Sequence, residues 1–160
     1  MAQCVVEDRI VLRDRRRGIT YDRAGVLEKW GVEPASIPDW LALVGDSSDG
    51  FPGLPGWGAK SAAAVLRRYG SIDAIPARAS DWDIRGVSGA VRLAAVLAEQ
   101  HDDATLYRTL ARLRLDAPIP QEAPADLEWR GAPRATWEAF CDRWGLARLR
   151  ARPHRWLAPA

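Results

Sequence analysis

The segment from residue 45 to residue 60, GDSSDGFPGLPGWGAK, most limits how this chain can fold. Its glycines and prolines are incompatible with a continuous helix, yet a helical apolar pattern stands on either side of it. Before the segment, the spacing i, i+3, i+4, i+7 is kept by Ile37, Trp40, Leu41 and Val44. After it, the same spacing is kept by Ala62, Val65, Leu66 and Tyr69. The sequence therefore predicts two helices joined by a glycine-rich turn.

Cap residues support this pair of helices, and further helical patterns surround it. Ser36 is the predicted N-cap of the first helix, and Gly70 ends the second. A short helix before the pair is predicted to end at Gly31. Two more helices are predicted over residues 90–99 and 104–114, the latter with one face formed by Leu106, Leu110 and Leu113. A last helix is predicted from the spacing of Trp137, Phe140, Cys141 and Trp144.

The N-terminal residues predict a small β-structure instead. Two β-rich runs, residues 3–6 and 9–12, are separated by Glu7 and Asp8, which is typical of a hairpin. Because they contain prolines, residues 71–87 and 116–133 are predicted to be linkers. We therefore expect a hairpin in residues 1–17, a helical domain in residues 18–115, and a Pro-rich linker with a C-terminal helix in residues 116–160.

The composition is that of a globular chain with one core. Of its 160 residues, 48% are hydrophobic and 28% are charged. No apolar run approaches the ~20 residues of a membrane span. Cys4 and Cys141 lack partners at zinc-ligand spacing, which favours buried thiols over a disulfide or a zinc site. We expect a cytoplasmic protein with no membrane partner, and the net charge of +2 permits an anionic one.

The glycine-rich turn has the features of a helix-hairpin-helix module, which binds the DNA backbone without reading bases. Gly53, Gly56 and Gly58 allow the backbone to approach a ligand, and they lead into a helix whose first amides face outward. Lys60 adds a positive charge, and Arg67 returns to the same face two turns later. The alternative is an ordinary connector with glycine caps. Trp57 is expected to pack against the helices rather than to stack on a base.

Asp46 and Asp49 form a second candidate site. Two carboxylates spaced i, i+3 just after a helix can face one magnesium ion that keeps several waters. Aspartate is also a standard turn and N-cap residue, so the structural interpretation stays open. The pair alone does not decide between the two.

The whole block from Gly45 to Ala62 resembles the signature of the 5'-3' exonuclease and flap endonuclease family, including the 5'-nuclease domain of bacterial DNA polymerase I. The resemblance extends from about Gln3 to the C terminus. It implies a mainly α fold, a helix-3-turn-helix, SAM-like DNA-binding domain, with a short N-terminal β-hairpin left from an α/β nuclease core. The implied DNA-binding residues are Gly53, Gly56, Gly58, Lys60, Ser61 and Arg67.

The resemblance also implies a chemistry and its partners. In the family, Asp46 and Asp49 would be ligands of a second Mg²⁺ or Mn²⁺ site, and backbone carbonyls of the turn would hold K⁺. The implied activity is magnesium-dependent 5'-3' exodeoxyribonuclease activity in DNA replication and repair. The implied partners are duplex or flap DNA and a nuclease core or DNA polymerase.

One difference from the family limits this expectation. Family members carry most of their metal-binding acids in an N-terminal α/β core, and no counterpart of that acidic cluster stands in these 160 residues. No catalytic set is complete here, so we expect the chain alone to be inactive as a nuclease. Two alternatives remain open: a non-catalytic helix-hairpin-helix module that binds duplex DNA and acts with a partner, and a helical protein-interaction domain that has lost DNA binding.

Overall fold

Short helices make up most of the regular secondary structure, as the apolar spacing predicts. The computed structural model describes residues 1–121 and 123–158. The mainly α fold class is therefore confirmed. Gly31 and Gly70 end their helices with φ angles of 74° and 81°, which glycine adopts without strain. The α-helices of the described residues are α1 (Arg23–Trp30), α2 (Ile37–Val44), α3 (Ala59–Tyr69), α4 (Ala90–Glu99), α5 (His101–Ala111) and α6 (Arg134–Arg143).

A two-stranded antiparallel sheet is present, but its position differs from the prediction. Strands β1 (Leu12–Asp14) and β2 (Ile19–Tyr21) pair with Leu12 opposite Tyr21. Asp14 accepts a bond from the Arg17 amide at 3.0 Å, and Gly18 completes the turn at a φ of 71°. The predicted strands at residues 3–6 and 9–12 are wrong. Ala2–Cys4 is a 3-10 helix, and the turn at Glu7 and Asp8 closes only one isolated bridge, between Val6 and Ile10.

The chain divides into two units, Met1–Leu115 and Asp116–Ala160. The second unit begins where the predicted Pro-rich segment begins, and residues 1–17 share the first unit with residues 18–115. In the first unit, α2 packs against both α3 and α5. The core is made of small and branched apolar side chains that are fully or almost fully buried: Val26, Val32, Ala42, Leu43, Ala62, Val65, Leu66 and Ile72.

Two polar side chains of α2 and its N-terminus are buried and tie distant segments together. The Ser36 hydroxyl donates to the Gly70 carbonyl at 2.6 Å, so it does not form the predicted N-cap bond. Asp39, only 2% exposed, accepts from the Ile72 amide at 2.9 Å and from Arg108 at 3.3 Å. These bonds fix the end of α3 and the start of the following segment against α2.

Helix α5 buries a different face from the one its leucines suggest. It begins at His101, earlier than predicted, and its buried residues are Ala104 and Ala111. Leu106 and Leu110 are 52% and 61% exposed. Small alanines permit the close approach of α5 to α2, which turns the larger leucines outward. At the end of α5, the Gln3 side chain donates to the Ala111 carbonyl at 2.9 Å and accepts from the Leu113 amide at 3.0 Å.

The second unit is held mainly by α6 and the chain that returns past it. Cys141 is 1% exposed, whereas Phe140 and Trp144 are 45% and 62% exposed. Trp137 stacks on Phe140 with the ring centroids 5.8 Å apart. Ala132 donates to the Arg155 carbonyl at 3.0 Å, which closes the unit. Across both units, no helix in residues 1–121 and 123–158 has the length and apolar character to cross a bilayer.

Candidate nucleic-acid interface

The connection between α2 and α3 folds back on the end of α2. Asp46 and Phe51 exchange both backbone hydrogen bonds at 2.9 Å, so the intervening residues form a small closed loop. The Leu54 amide then donates to the Leu43 carbonyl at 2.9 Å. The chain is thereby held beside α2 until it turns into α3.

Two glycines make this fold-back possible. Gly53 has a φ of 70°, and a Cβ there would lie 2.6 Å from the Gly45 nitrogen. Gly45 has a φ of 85°, and a Cβ there would lie 2.8 Å from the Phe51 carbonyl oxygen. Gly53 is also buried, unlike Gly56, which is exposed. Gly53 therefore serves the packing of the turn, and its burial argues against the direct duplex contact that the resemblance implies.

Trp57 packs inside the module, as predicted. It is 6% exposed, and its indole N–H donates to the Leu93 carbonyl at 3.2 Å. Its ring also contacts Trp82, with the centroids 6.3 Å apart. The indole thus fixes the turn to α4, and its ring faces are not available to a base.

The start of α3 carries no negative charge. Ser61 accepts from the Gly58 amide and donates to the Gly58 carbonyl, both at 3.0 Å. The first turn of the helix contains no acidic residue. The amides of Ala59 and Lys60 precede the first intrahelical bond, which runs from Ala62 to Gly58. These amides and the positive end of the helix dipole form a site suited to a phosphate oxygen.

A cavity of about 520 Å³ opens over this helix start. Four of the predicted DNA-binding residues line it: Gly56, Gly58, Lys60 and Ser61. Gly58 has an extended φ of −135°, and no atom lies within 4 Å of the place where a Cβ would stand. The lack of a side chain at Gly58 therefore leaves open space at the cavity. The backbone conformation itself does not require glycine here.

The opposite wall of the cavity comes from the end of the predicted linker, residues 71–87, and from the residue after it. Gly86, Val87 and Ser88 line this wall, just before α4. Gly86 and Gly89 both have positive φ, at 79° and 71°. A second pair of glycines leading into an apolar helix pattern was the signal in the sequence that could have identified this wall.

The arginines of α3 differ in their partners. Arg67 donates to the Gly31 carbonyl at 3.3 Å. Its neighbour Arg68 bonds Asp83 at 2.9 Å, and this carboxylate holds the pKa of Arg68 above its ordinary value. The charge of Arg68 is thus already matched, while that of Arg67 is not.

The two aspartates of the candidate metal site differ in placement. Asp46 is half-buried and accepts from the Ser48 amide at 2.9 Å, and it lines a cavity of about 500 Å³. Asp49 is exposed, and the residues lining that cavity do not include it. Among the described residues, no cluster of three or more His, Cys, Asp or Glu could hold a metal ion. Two carboxylates fit an ion that keeps most of its waters, but do not form a closed site.

Comparison with known proteins agrees with the family resemblance of the sequence. Residues 32–135 match the family model described as 5'-3' exonuclease, C-terminal SAM fold. The chain is 39% identical to DNA polymerase I of Rhizobium leguminosarum, over 71% of this chain and 10% of that protein. It is 35% identical to a 5'-3' exonuclease of Streptomyces coelicolor, over 78% of this chain and 40% of that protein. It is 34% identical to flap endonuclease Xni of Aeromonas salmonicida, over 69% of this chain and 39% of that protein. The chain thus spans less than half the length of these relatives.

Proposed function

Because this chain belongs to the 5'-3' exonuclease family, as its C-terminal SAM-fold domain, we propose that it is the DNA-binding part of a 5'-3' exonuclease or flap endonuclease. Its role is to hold the duplex by the sugar-phosphate backbone. The observation that carries this proposal is the cavity at the start of α3, where free amides and Lys60 meet with no carboxylate in the lining. Such a site binds phosphates and does not select a base sequence.

The parent activity would be hydrolysis of DNA phosphodiester bonds from a 5' end or at a flap. The relatives named DNA polymerase I support a role of this activity in replication and repair, with a polymerase as partner. Asp46 and Asp49 would bind a Mg²⁺ or Mn²⁺ ion, which would stabilise charge on phosphate oxygens when bound. The acids of a nuclease core would supply the other ligands. A potassium ion at the turn carbonyls is a further part of this proposal.

Duplex binding through the turn is tested by a salt titration of a labelled, blunt duplex. Each phosphate contact releases condensed counterions, so the logarithm of affinity falls linearly with the logarithm of salt, by about 0.9 per contact. We expect Lys60→Ala to lower this slope by about that amount. Gly58→Val would place a branched side chain in the open space of the cavity and should weaken binding at every salt concentration.

Arg68→Ala is the matched control, because it removes one positive charge from α3 that Asp83 already neutralises. We expect its affinity to stay close to that of the parent. If Lys60→Ala and Gly58→Val bind as tightly as the parent does, the turn is not the DNA site.

Metal binding at Asp46 and Asp49 has a readout that requires no catalysis. Mn²⁺ broadens the NMR signals of nuclei close to it, so a titration of the 160-residue chain should broaden the amides of residues 46–51 first. Asp46→Asn and Asp49→Asn should each weaken this effect by removing one carboxylate charge. Equal broadening in the parent and in both variants would favour the turn-and-cap interpretation of these aspartates.

The alternative function is a non-catalytic module that binds duplex DNA beside a partner. Its support is the start of α3, where the amides and Lys60 could bind a phosphate without a metal ion. Both functions predict duplex binding. They differ in the Mn²⁺ titration, which only the nuclease role requires to succeed.

A further inference from the structure

A second cavity lies next to the one at the start of α3. Its volume is about 470 Å³, and its lining is Lys60, Ala63, Ala64, Arg67, Ile84 and Arg85. Lys60 and Ala64 line both cavities, so the two adjoin each other along α3. Together they form a groove with α3 on one side and residues 84–88 on the other, which we call the α3 groove.

Three cationic side chains line the α3 groove: Lys60 and Arg67 from α3, and Arg85 from the opposite wall. All three are exposed, and among the described residues none forms an ion pair with a carboxylate. The nearest acidic residue in sequence to Arg85 is Asp83, which is engaged by Arg68. The groove therefore has an unneutralised positive charge on both of its walls.

The rest of the lining indicates which part of an anionic polymer could occupy the groove. Alanines and glycines make up most of it, and no aromatic or amide side chain lines either cavity. The groove therefore offers no aromatic ring on which a base could stack. Along α3, the groove from Gly58 to Arg67 is roughly 13 Å long at the helical rise per residue. One DNA strand has a phosphate for every ~3.4 Å of helix axis, so a groove of this length can accommodate more than one phosphate.

We propose that Arg85 forms a second phosphate subsite, and that the α3 groove holds consecutive phosphates of one nucleic-acid strand. The amides at the start of α3 bind one phosphate, and Arg85, with Arg67 opposite it, binds the next along the strand. The inference rests on the proposed function, because it extends the duplex contact that begins at Lys60. It adds a residue from the other wall of the groove, and it fixes the direction in which the strand leaves the turn.

Ethylation interference on a labelled duplex measures this directly, because it identifies each phosphate whose modification prevents binding. The full 160-residue parent should give an uninterrupted run of interfering phosphates on one strand. Arg85→Ala should lose the phosphate at one end of that run, and its log-log salt slope should fall by about 0.9. Arg85→Lys keeps the charge, and should keep the slope.

Arg15→Ala is the control for general charge, because Arg15 is exposed and lines neither cavity of the groove. Melting temperatures of all variants check that each is folded. If Arg15→Ala lowers the slope as much as Arg85→Ala does, only net charge matters and the subsite is excluded. Displacement of the duplex by polyglutamate of equal charge concentration would likewise overturn the assignment to phosphates.

The outcome for Arg85 can be separated from that for the proposed function. If Lys60→Ala weakens binding while Arg85→Ala retains the parent's run and slope, the turn binds DNA and the second subsite is wrong. If the parent itself binds no duplex, the proposed function fails and the subsite with it.

Discussion

Gly53 and Gly58 lie in the same turn, but each is a glycine for a different physical reason. Gly53 is required by the protein itself, because a Cβ would overlap the backbone at Gly45. Gly58 is not required in this way, because its φ is extended and its surroundings are open. A sequence motif records both as glycine and does not show this difference.

Substitution by alanine should separate the two roles. Gly53→Ala places a side chain on a backbone that already has a left-handed φ, and its Cβ would overlap neighbouring backbone atoms. We therefore expect it to reduce the free energy of unfolding by roughly 2 kcal/mol or more. Gly58→Ala should cost below about 1 kcal/mol, the range of an N-cap change. Urea unfolding of the two variants measures both. Similar losses at the two positions would contradict this account.

At the scale of elements, Asp39 is the point where three segments meet. It is buried in α2, it accepts from the Ile72 amide after α3, and it pairs with Arg108 of α5. Truncation of Asp39 would remove the acceptor of the buried Ile72 amide and one of the acceptors of the largely buried Arg108 guanidinium. We expect Asp39→Ala to reduce the free energy of unfolding by about 3 kcal/mol. Asp39→Asn should cost less, because its amide oxygen can still accept from Ile72.

Asp73 is the exposed partner of the same arginine and serves as the comparison. Its bond from Arg108, at 2.7 Å, holds the pKa of the Asp73 carboxyl below its ordinary value. A depressed pKa adds stability above the pKa of the unfolded chain, near 3.9, and this is lost as pH falls through the folded pKa. Because the side chain is 60% exposed, the contribution should stay below about 1 kcal/mol. The melting temperature of Asp73→Asn should approach that of the parent as pH falls from about 5 to 3.

Helix positions could be predicted where local chemistry decides them. The bounds of α2 and α4 follow from apolar spacing together with Gly45 and Gly89. The buried face of α5 could not be predicted in this way, because a close packing distance favoured Ala104 and Ala111 over the leucines. The predicted hairpin was misplaced, because the turn at Glu7 and Asp8 and the observed turn at residues 14–18 both have acceptable local chemistry. The hydrogen bond from the Arg17 amide to Asp14 and the positive φ of Gly18 distinguish the second of these turns, which leads into the paired strands β1 and β2.

For the molecule as a whole, the candidate site was predicted only on one side. Lys60, Ser61 and Arg67 lie on the helix that follows the motif, so a local pattern identifies them. Residues 84–88 reach the same groove through tertiary packing, in particular through the bond from Trp57 to Leu93. No spacing rule connects positions so far apart in the sequence.

All predicted DNA contacts lie in the unit Met1–Leu115, which also contains its own buried core. A protein that ends at Leu115 should therefore fold and bind duplex DNA with the salt slope of the full chain. Circular dichroism and the duplex titration check the two parts of this prediction. Loss of binding by a folded residue 1–115 protein would show that the second unit contributes contacts of its own.

The bonds of Gln3 with Ala111 and Leu113 bring the two ends of the first unit together. A unit whose ends meet can be joined to other chain at a single place, in the manner of a domain inserted into a host. It can also be given new ends. A circular permutant that links residue 115 to residue 1 by a short flexible linker, and opens at the exposed turn of Arg15 and Arg16, should keep the same helices. Joined into a longer chain in this way, the first unit would be carried as one body that keeps its own core.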